Sequence, residues 1–329
     1  MFLGFSDRNI FGRSLFPTLP IGETRIFNLM PFDEFGIPFS GWSVARRLGG
    51  TYTGNLIEVR RSSDNALSNI GFNSDNELDV ATLTGFIGAS SGFIRTIYDQ
   101  TGAGNNFVQT TLANQPRIVN AGVVDTVNGK PSAFFDGVND VMTVSASTVT
   151  YKWLSSPDGF SHHILGILQF GTSSNPNAIY VLIGNLSSSA SVGFWYAYDD
   201  RAVSGFSDAY RCDVYRGVLT TQAVLNLVNN AITPNKLVSL ASVLTNDNTL
   251  PGQLRDYGII NGLVKGNLNV NNPTYSTANA SNDLQLGASN NIFYLNGYIS
   301  ELMLYKRTAQ DFANPVKIIE NQKKFYVIT

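Results

Sequence analysis

The stretch TIYDQTGAGNNFVQ (96–109) decides how the chain is read. A β-branched and aromatic run ends at Tyr98, Asp99 and Gln100. A loop of Gly, Ala and Asn follows, and then a second apolar run begins at Phe107. That is a strand, a glycine-permitted turn and a second strand. Asp99 and Gln100 sit where short polar side chains bond the backbone N–H groups of such a turn, so the segment reads as architecture rather than chemistry. Tyr98 reads as a core ring with its hydroxyl tied down.

The same grammar continues on both sides. NLIEVRRSSD (55–64) alternates Leu56, Ile57 and Val59 with polar residues before a turn. SAFFDGVNDVMTVS (132–145) gives strands around DGVND, and short apolar runs separated by Gly, Asn and Pro recur to GYISELMLYKRT (297–308). Regular short strands predict an all-β sandwich or barrel. Two helices interrupt them. In ELDVATLTGFIG (77–88), Asp79 is placed to cap a helix whose Val80, Leu83 and Phe86 share a face. Asn314-Pro315 opens a C-terminal helix in which Val316 and Ile319 can cover the sheet.

Composition sets the outer bounds. The chain has 329 residues, 43% of them hydrophobic and only 14% charged, so it can bury a large core and must stay soluble through uncharged polar groups. Twenty-four acidic and 22 basic side chains nearly balance, with no basic stripe, so nucleic acid is not an expected partner. A single cysteine, Cys212, excludes an internal disulfide and a thiolate zinc cage. The first residues, MFLGFSDRNIFGRSLF, lack the unbroken apolar core of a signal peptide, and no run approaches the length of a membrane span. Residues 1–30, with Pro17, Pro20 and Pro31 around their end, read as an arm, and residues 31–329 as the β domain.

Taken in order, YTGNLIEVRRSSDN, TIYDQTGAGNNFVQ, NQPRIV, GKPSAFFDGVND and FYLNGYISELMLYKR resemble the concanavalin A-like, laminin-G-like jelly rolls of bacteriophage tail and virion proteins. They are similar as well to the catalytic domain of fungal arabinofuranosidase B. The resemblance spans about residues 40–329 and implies a jelly-roll β-sandwich with an N-terminal arm and a short C-terminal helix. It implies a virion location after synthesis in the host cytoplasm, contacts with other virion proteins through the arm, a homotrimer, and a host surface glycan as ligand.

A glycosidase of this kind needs a carboxylate and a carboxylic acid across the scissile bond. In the resembled enzymes the nucleophile is a Glu at the end of an aromatic strand. The matching stretch, GFWYAYDDRAVSG (193–205), puts Asp199 there. The acid is an Asp in a loop before the NGYISE-like strand. The matching LGASNNIFYLNG (286–297) offers Ala288, Ser289, Asn290 and Asn291, none of which can donate a proton near neutral pH. The resembled enzymes' adjacent-cysteine disulfide is missing too. Only Glu301 or a distant Asp could substitute. The pair is therefore incomplete, and the expectation is a glycan binder. Tyr196 and Tyr198 would form a stacking platform beside Asp199, Asp200 and Arg201. The alternatives are a glycoside hydrolase acting on host polysaccharide and a purely structural capsid decoration protein.

Two further clusters can be weighed. Asp136, Asn139 and Asp140 group oxygens that suit calcium, although a tight turn explains them as well. His162 and His163 are strand neighbours that point to opposite faces, so they cannot easily share a metal. No cofactor is expected.

Overall fold

The computed structural model describes residues 30–154, 161–171, 178–186, 192–201, 208–216, 222–246, 253–271, 278–307 and 313–328. The arm expected over residues 1–30 lies, but for Met30, outside the described residues.

Strand Asn296–Arg307 organises the first of two antiparallel sheets. It pairs along one edge with Ser40–Ser43 and Ala133–Asp136, and along the other with Ser161–Phe170. Leu237–Asn246, Gln253–Ile260 and Leu263–Asn271 extend the sheet outward from there. The second sheet begins with Leu67–Ile70, Ile57–Arg61, Gly92–Ile97 and Phe107–Val108. It continues through Met142–Val144, Leu284–Leu286, Ile179–Gly184, Val192–Asp199, Ala209–Arg216 and Gln222–Val228. Arg117–Asn120 joins the sheets by pairing with Ala133–Asp136 and with Gly92–Ile97.

The two-residue period of a strand then decides what is buried. Leu302 and Leu304 of the first sheet share one apolar core with Phe194, Tyr196, Tyr198 and Tyr210 of the second. The Phe170 and Tyr198 rings stack across the interior with centroids 5.1 Å apart. This is a β-sandwich, as the strand pattern predicts. The alternate residues Met303 and Tyr305 face outward beneath helix Ala313–Phe325, where they pack with Ile318 and Ile319. The C-terminal helix thus starts one residue before Asn314.

Helix Val80–Ile87 is capped as expected, with Asp79 accepting from the Thr82 N–H at 3.0 Å. Its buried residues are Leu83 and Ile87, while Val80 is exposed. Phe86 is partly buried against the same core and also lies under the Arg61 guanidinium, 4.8 Å from ring to carbon. The inner face is therefore rotated by about one residue from the expected stripe.

TIYDQ behaves as architecture. Asp99 Oδ1 accepts from the N–H groups of Gly41 and Thr101, and Gln100 Oε1 accepts from the Leu48 N–H. Gly102 and Gly104 take φ of 83° and 79°, values that the turn requires and glycine supplies. Tyr98 differs from expectation. It is half-buried on the rim, with its hydroxyl donating to Asn69 Oδ1 at 2.7 Å.

Among the described residues no helix is long and apolar enough to cross a membrane.

Candidate functional site

The strand Val192–Asp199 reads its aromatics inward. Phe194, Tyr196 and Tyr198 are 1%, 2% and 0% exposed. Tyr198 donates its hydroxyl to Asp208 at 2.6 Å, and burial pushes its pKa up. The expected stacking platform at Tyr196 and Tyr198 is therefore corrected: both rings are core, because their face of the strand is the one that meets the opposite sheet.

The opposite face of the same strand carries Trp195, Ala197 and Asp199. Ala197 joins Ile179 and Val181 in a small buried apolar cluster on the sheet face turned away from the shared core, with Trp195 packed against it. Asp199 is wholly buried there and held by two arginines. Arg201 Nε and Nη2 donate to it at 2.8 and 2.7 Å, and Arg211 Nη1 donates at 2.7 Å. Burial alone would raise the Asp199 pKa, but the hydrogen bonds from Arg201 and Arg211 outweigh it and hold the group below the usual carboxylate range.

A second carboxylate completes the cluster, and it was not singled out from the sequence. Strand Ala209–Arg216 pairs with Val192–Asp199 so that Arg211 stands opposite Ala197 and Asp213 opposite Trp195. Arg211 reaches both acids, giving Nε and Nη2 to Asp213 Oδ2 at 2.9 and 2.6 Å. Asp213 is as buried as Asp199. Burial is its largest influence and lifts its pKa despite the arginine, and the charge of Asp199 adds to the rise. Its Oδ1 and the Trp195 Nε1 are both buried without a hydrogen-bond partner, although the indole lies close enough to favour the carboxylate. The available sequence signal was AYRCDVYR (209–216). Two opposite charges two residues apart share one face in the middle of the strand, in a chain that is only 14% charged.

The loop between Leu284–Leu286 and Asn296–Arg307 borders this face. The Val181 N–H donates to the Phe293 carbonyl at 2.8 Å, and the Phe293 ring meets Trp195 edge-on at 5.3 Å. Gln285 and Asn291 exchange hydrogen bonds of 2.9 and 3.1 Å that fix the loop. Asn290, Asn291 and Phe293 all hold positive φ, which for a phenylalanine is strained backbone. Asp200 and Arg201 are half-buried at the end of the strand.

Glu301 does not supply the missing acid. It faces outward from the first sheet, beneath the C-terminal helix, and its oxygens accept from Arg46, Gln322 and Tyr326. Asp199 lies on the outer face of the other sheet, with the whole core between them. The DGVND cluster resolves as a turn. Asp136 Oδ1 accepts from the Val138 and Asn139 N–H groups, and Asp140 Oδ2 accepts from the Asp136 N–H. Among the described residues no three His, Cys, Asp or Glu side chains converge as a metal would need. The side chains of His162 and His163 lie outside the described set.

The comparisons with known proteins agree with this geometry. The model of the alpha-L-arabinofuranosidase B catalytic family matches residues 36–202. No curated protein sequence matches the chain. Among solved structures, the fold is similar to a GH54 α-L-arabinofuranosidase soaked with a cyclic sulfate inhibitor, with a TM-score of 0.57 and 14% identity. A mutant of a GH54 α-L-arabinofuranosidase soaked with 4-nitrophenyl α-L-arabinofuranoside gives 0.59 and 16%. Each likeness covers 88% of this chain but only 63% of the other, so the chain spans less than two thirds of those proteins. At such identity the likeness speaks for the fold alone. The family match takes in half of the sequence, through Asp199 and Arg201, and on that ground the chain belongs to the alpha-L-arabinofuranosidase B catalytic family.

Proposed function

We propose that this chain uses the arabinofuranosidase B fold to hold a glycan rather than to cut one, and that it does so on a bacteriophage particle, as a tail-fibre, spike or head-fibre component. The observation that carries the reading is the arginine clamp. Hydrolysis needs an ionised carboxylate free to approach the anomeric carbon and a protonated acid opposite it. Asp199 is ionised, but Arg201 and Arg211 occupy both of its oxygens. The loop that borders it offers amides and a hydroxyl in place of an acid. What remains is a surface of the kind sugars recognise. Trp195 and Phe293 present ring edges and faces for apolar C–H groups, and Asn290, Asn291, Asp200 and Arg201 present polar groups for hydroxyls.

The virion assignment rests on the ordered sequence motifs. Residues 1–30 would anchor the chain to the particle or to sister subunits. A closed trimer would multiply weak sugar sites into useful avidity.

Glycoside hydrolysis is the second reading, and one observation favours it. The two carboxylates have pKa values pushed apart, Asp199 down and Asp213 up, and the Asp213 oxygen that Arg211 leaves has only the Trp195 indole beside it. A single experiment separates the readings. Purified protein is applied to a bacterial glycan array, and the same glycans are assayed for released reducing sugar. Binding without release is the expected result. Release that Asp213→Asn abolishes would establish the hydrolase. Absence of binding to every glycan would leave only a structural role.

A further inference from the structure

A second polar site lies on the opposite face of the sandwich, under the C-terminal helix. A cavity of about 650 Å³ opens there between the turn 73–77, the residues Arg46 and Arg47, Lys130 and the end of the helix at Lys324 and Phe325. That volume is within the ordinary range for small-molecule sites. Its cations are unequally committed. Arg46 gives its Nε and Nη2 to Glu301, and Lys130 pairs with Glu77 at 2.6 Å. The Arg47 guanidinium lies 4.4 Å over the Phe72 ring, its Nε is buried without a hydrogen-bond partner, and no carboxylate among the described residues pairs with it. Lys324 is exposed at the rim.

We infer that this cavity binds a carboxylate-bearing saccharide, with Arg47 taking the carboxylate and Lys324 adding charge at the mouth. A guanidinium stacked on an aromatic ring is oriented, and its planar fork matches a carboxylate. The rest of the lining suits sugar hydroxyls. Ser74 and Asn76 offer hydroxyl and amide groups, and Asp75 offers carboxylate oxygens that accept hydroxyl protons. Those acidic oxygens also repel a dense anion such as phosphate, so a sugar with a single carboxylate per ring fits better than a phosphoryl group. The site uses none of the residues of the arginine clamp, and it stands or falls apart from the proposed sheet-face function.

Titration calorimetry with trigalacturonate, maltotriose and sodium sulfate, on the whole chain at low salt, tests the inference. Trigalacturonate is expected to bind, with affinity falling as salt rises, and maltotriose is not. Arg47→Gln should weaken trigalacturonate by roughly tenfold, a loss typical of a charge-assisted bidentate contact. Lys324→Gln, at an exposed position, should weaken it by about threefold. Lys236→Gln, at an exposed position outside both sites, should leave it bound. Equal binding of maltotriose, sulfate as tight as trigalacturonate, indifference to both cavity variants, or loss in the Lys236→Gln chain would each overturn the assignment.

Discussion

The two outer faces of this sandwich each bury an arginine–carboxylate cluster, and they are finished differently. Beneath the C-terminal helix, each oxygen of Glu301 accepts from Arg46 and from a second donor, Gln322 or Tyr326. The remaining Arg46 nitrogen, Nη1, donates to Asn321 at 2.9 Å. On the opposite face, Arg211 and Arg201 engage Asp199 and Asp213, but Asp213 Oδ1 and Trp195 Nε1 are left over. A cluster that exists to hold a fold is expected to satisfy every atom it buries. Arg47 Nε, next to the helix clamp, is likewise buried without a hydrogen-bond partner, so an orphan atom alone does not mark a site. What separates the sheet-face cluster from the helix clamp is that one arginine is shared between two buried carboxylates and that a strained loop borders it.

The largest test of that contrast is Glu301→Ala. It strands a buried guanidinium and removes the acceptor for Gln322 and Tyr326, so it should cost about 3–5 kcal/mol in urea unfolding, as other broken buried ion pairs do. A loss near zero would mean that the helix clamp is ornamental. Next come the two aspartates. Asp199 is stabilised in its charged form and Asp213 is penalised in its own, so Asp199→Asn should lose about 1.5–3 kcal/mol and Asp213→Asn distinctly less. Equal losses would show that the clamp treats both acids alike.

A fourth buried acid extends the comparison to a carboxylate without a committed arginine. Asp140 is only 5% exposed, and Arg117, whose charge it feels, is paired with Asp125 at 2.8 Å. Burial, reinforced by the charge of Asp136, pushes its pKa up to about 7. The folded state then holds a proton that the unfolded chain has released, so this group's contribution falls as pH rises from about 4 to about 7. Asp140→Asn keeps an acceptor for the Asp136 N–H and removes the titration. It should match wild type at pH 4 and exceed it at pH 8, the gap growing by on the order of 1 kcal/mol per pH unit at most. Identical pH profiles would break the assignment of that titration to Asp140.

Much of this molecule was legible beforehand because strands announce themselves by alternation and turns by glycine and asparagine. The TIYDQ turn, the Asp79 cap and the C-terminal helix follow local rules that tertiary packing did not overturn. The aromatic strand was misread at Tyr196 and Tyr198 because alternation fixes which residues share a face but not which face is covered. Only the approach of the other sheet decides that. Arg211 and Asp213 escaped for a related reason. Their partners, Asp199 and Trp195, lie on the neighbouring strand, and register between strands is written in no short stretch of sequence. Glu301 is the converse case: it follows the core residue Ile299 by two places, and only the bulge between them turns it to the outer face, where Arg46 and the C-terminal segment supply its partners.

The smallest expected change in stability is also the most informative about the site. Phe293 holds φ of 58°, a conformation that costs a non-glycine residue roughly 1–2 kcal/mol. Its edge-on contact with Trp195 returns about 0.5–1.5 kcal/mol. The ring is 37% exposed, so burial of the remainder adds about 1–2 kcal/mol. Phe293→Gly removes the strain, the contact and that burial together, and unfolding should therefore lose no more than about 1–2 kcal/mol. If the ring is kept for a ligand, the same variant should lose glycan binding by roughly tenfold, as a deleted stacking residue does. A stable variant that still binds would remove Phe293 from the site. An unstable one would return the loop to the class of the helix clamp, where every contact is spent on the fold.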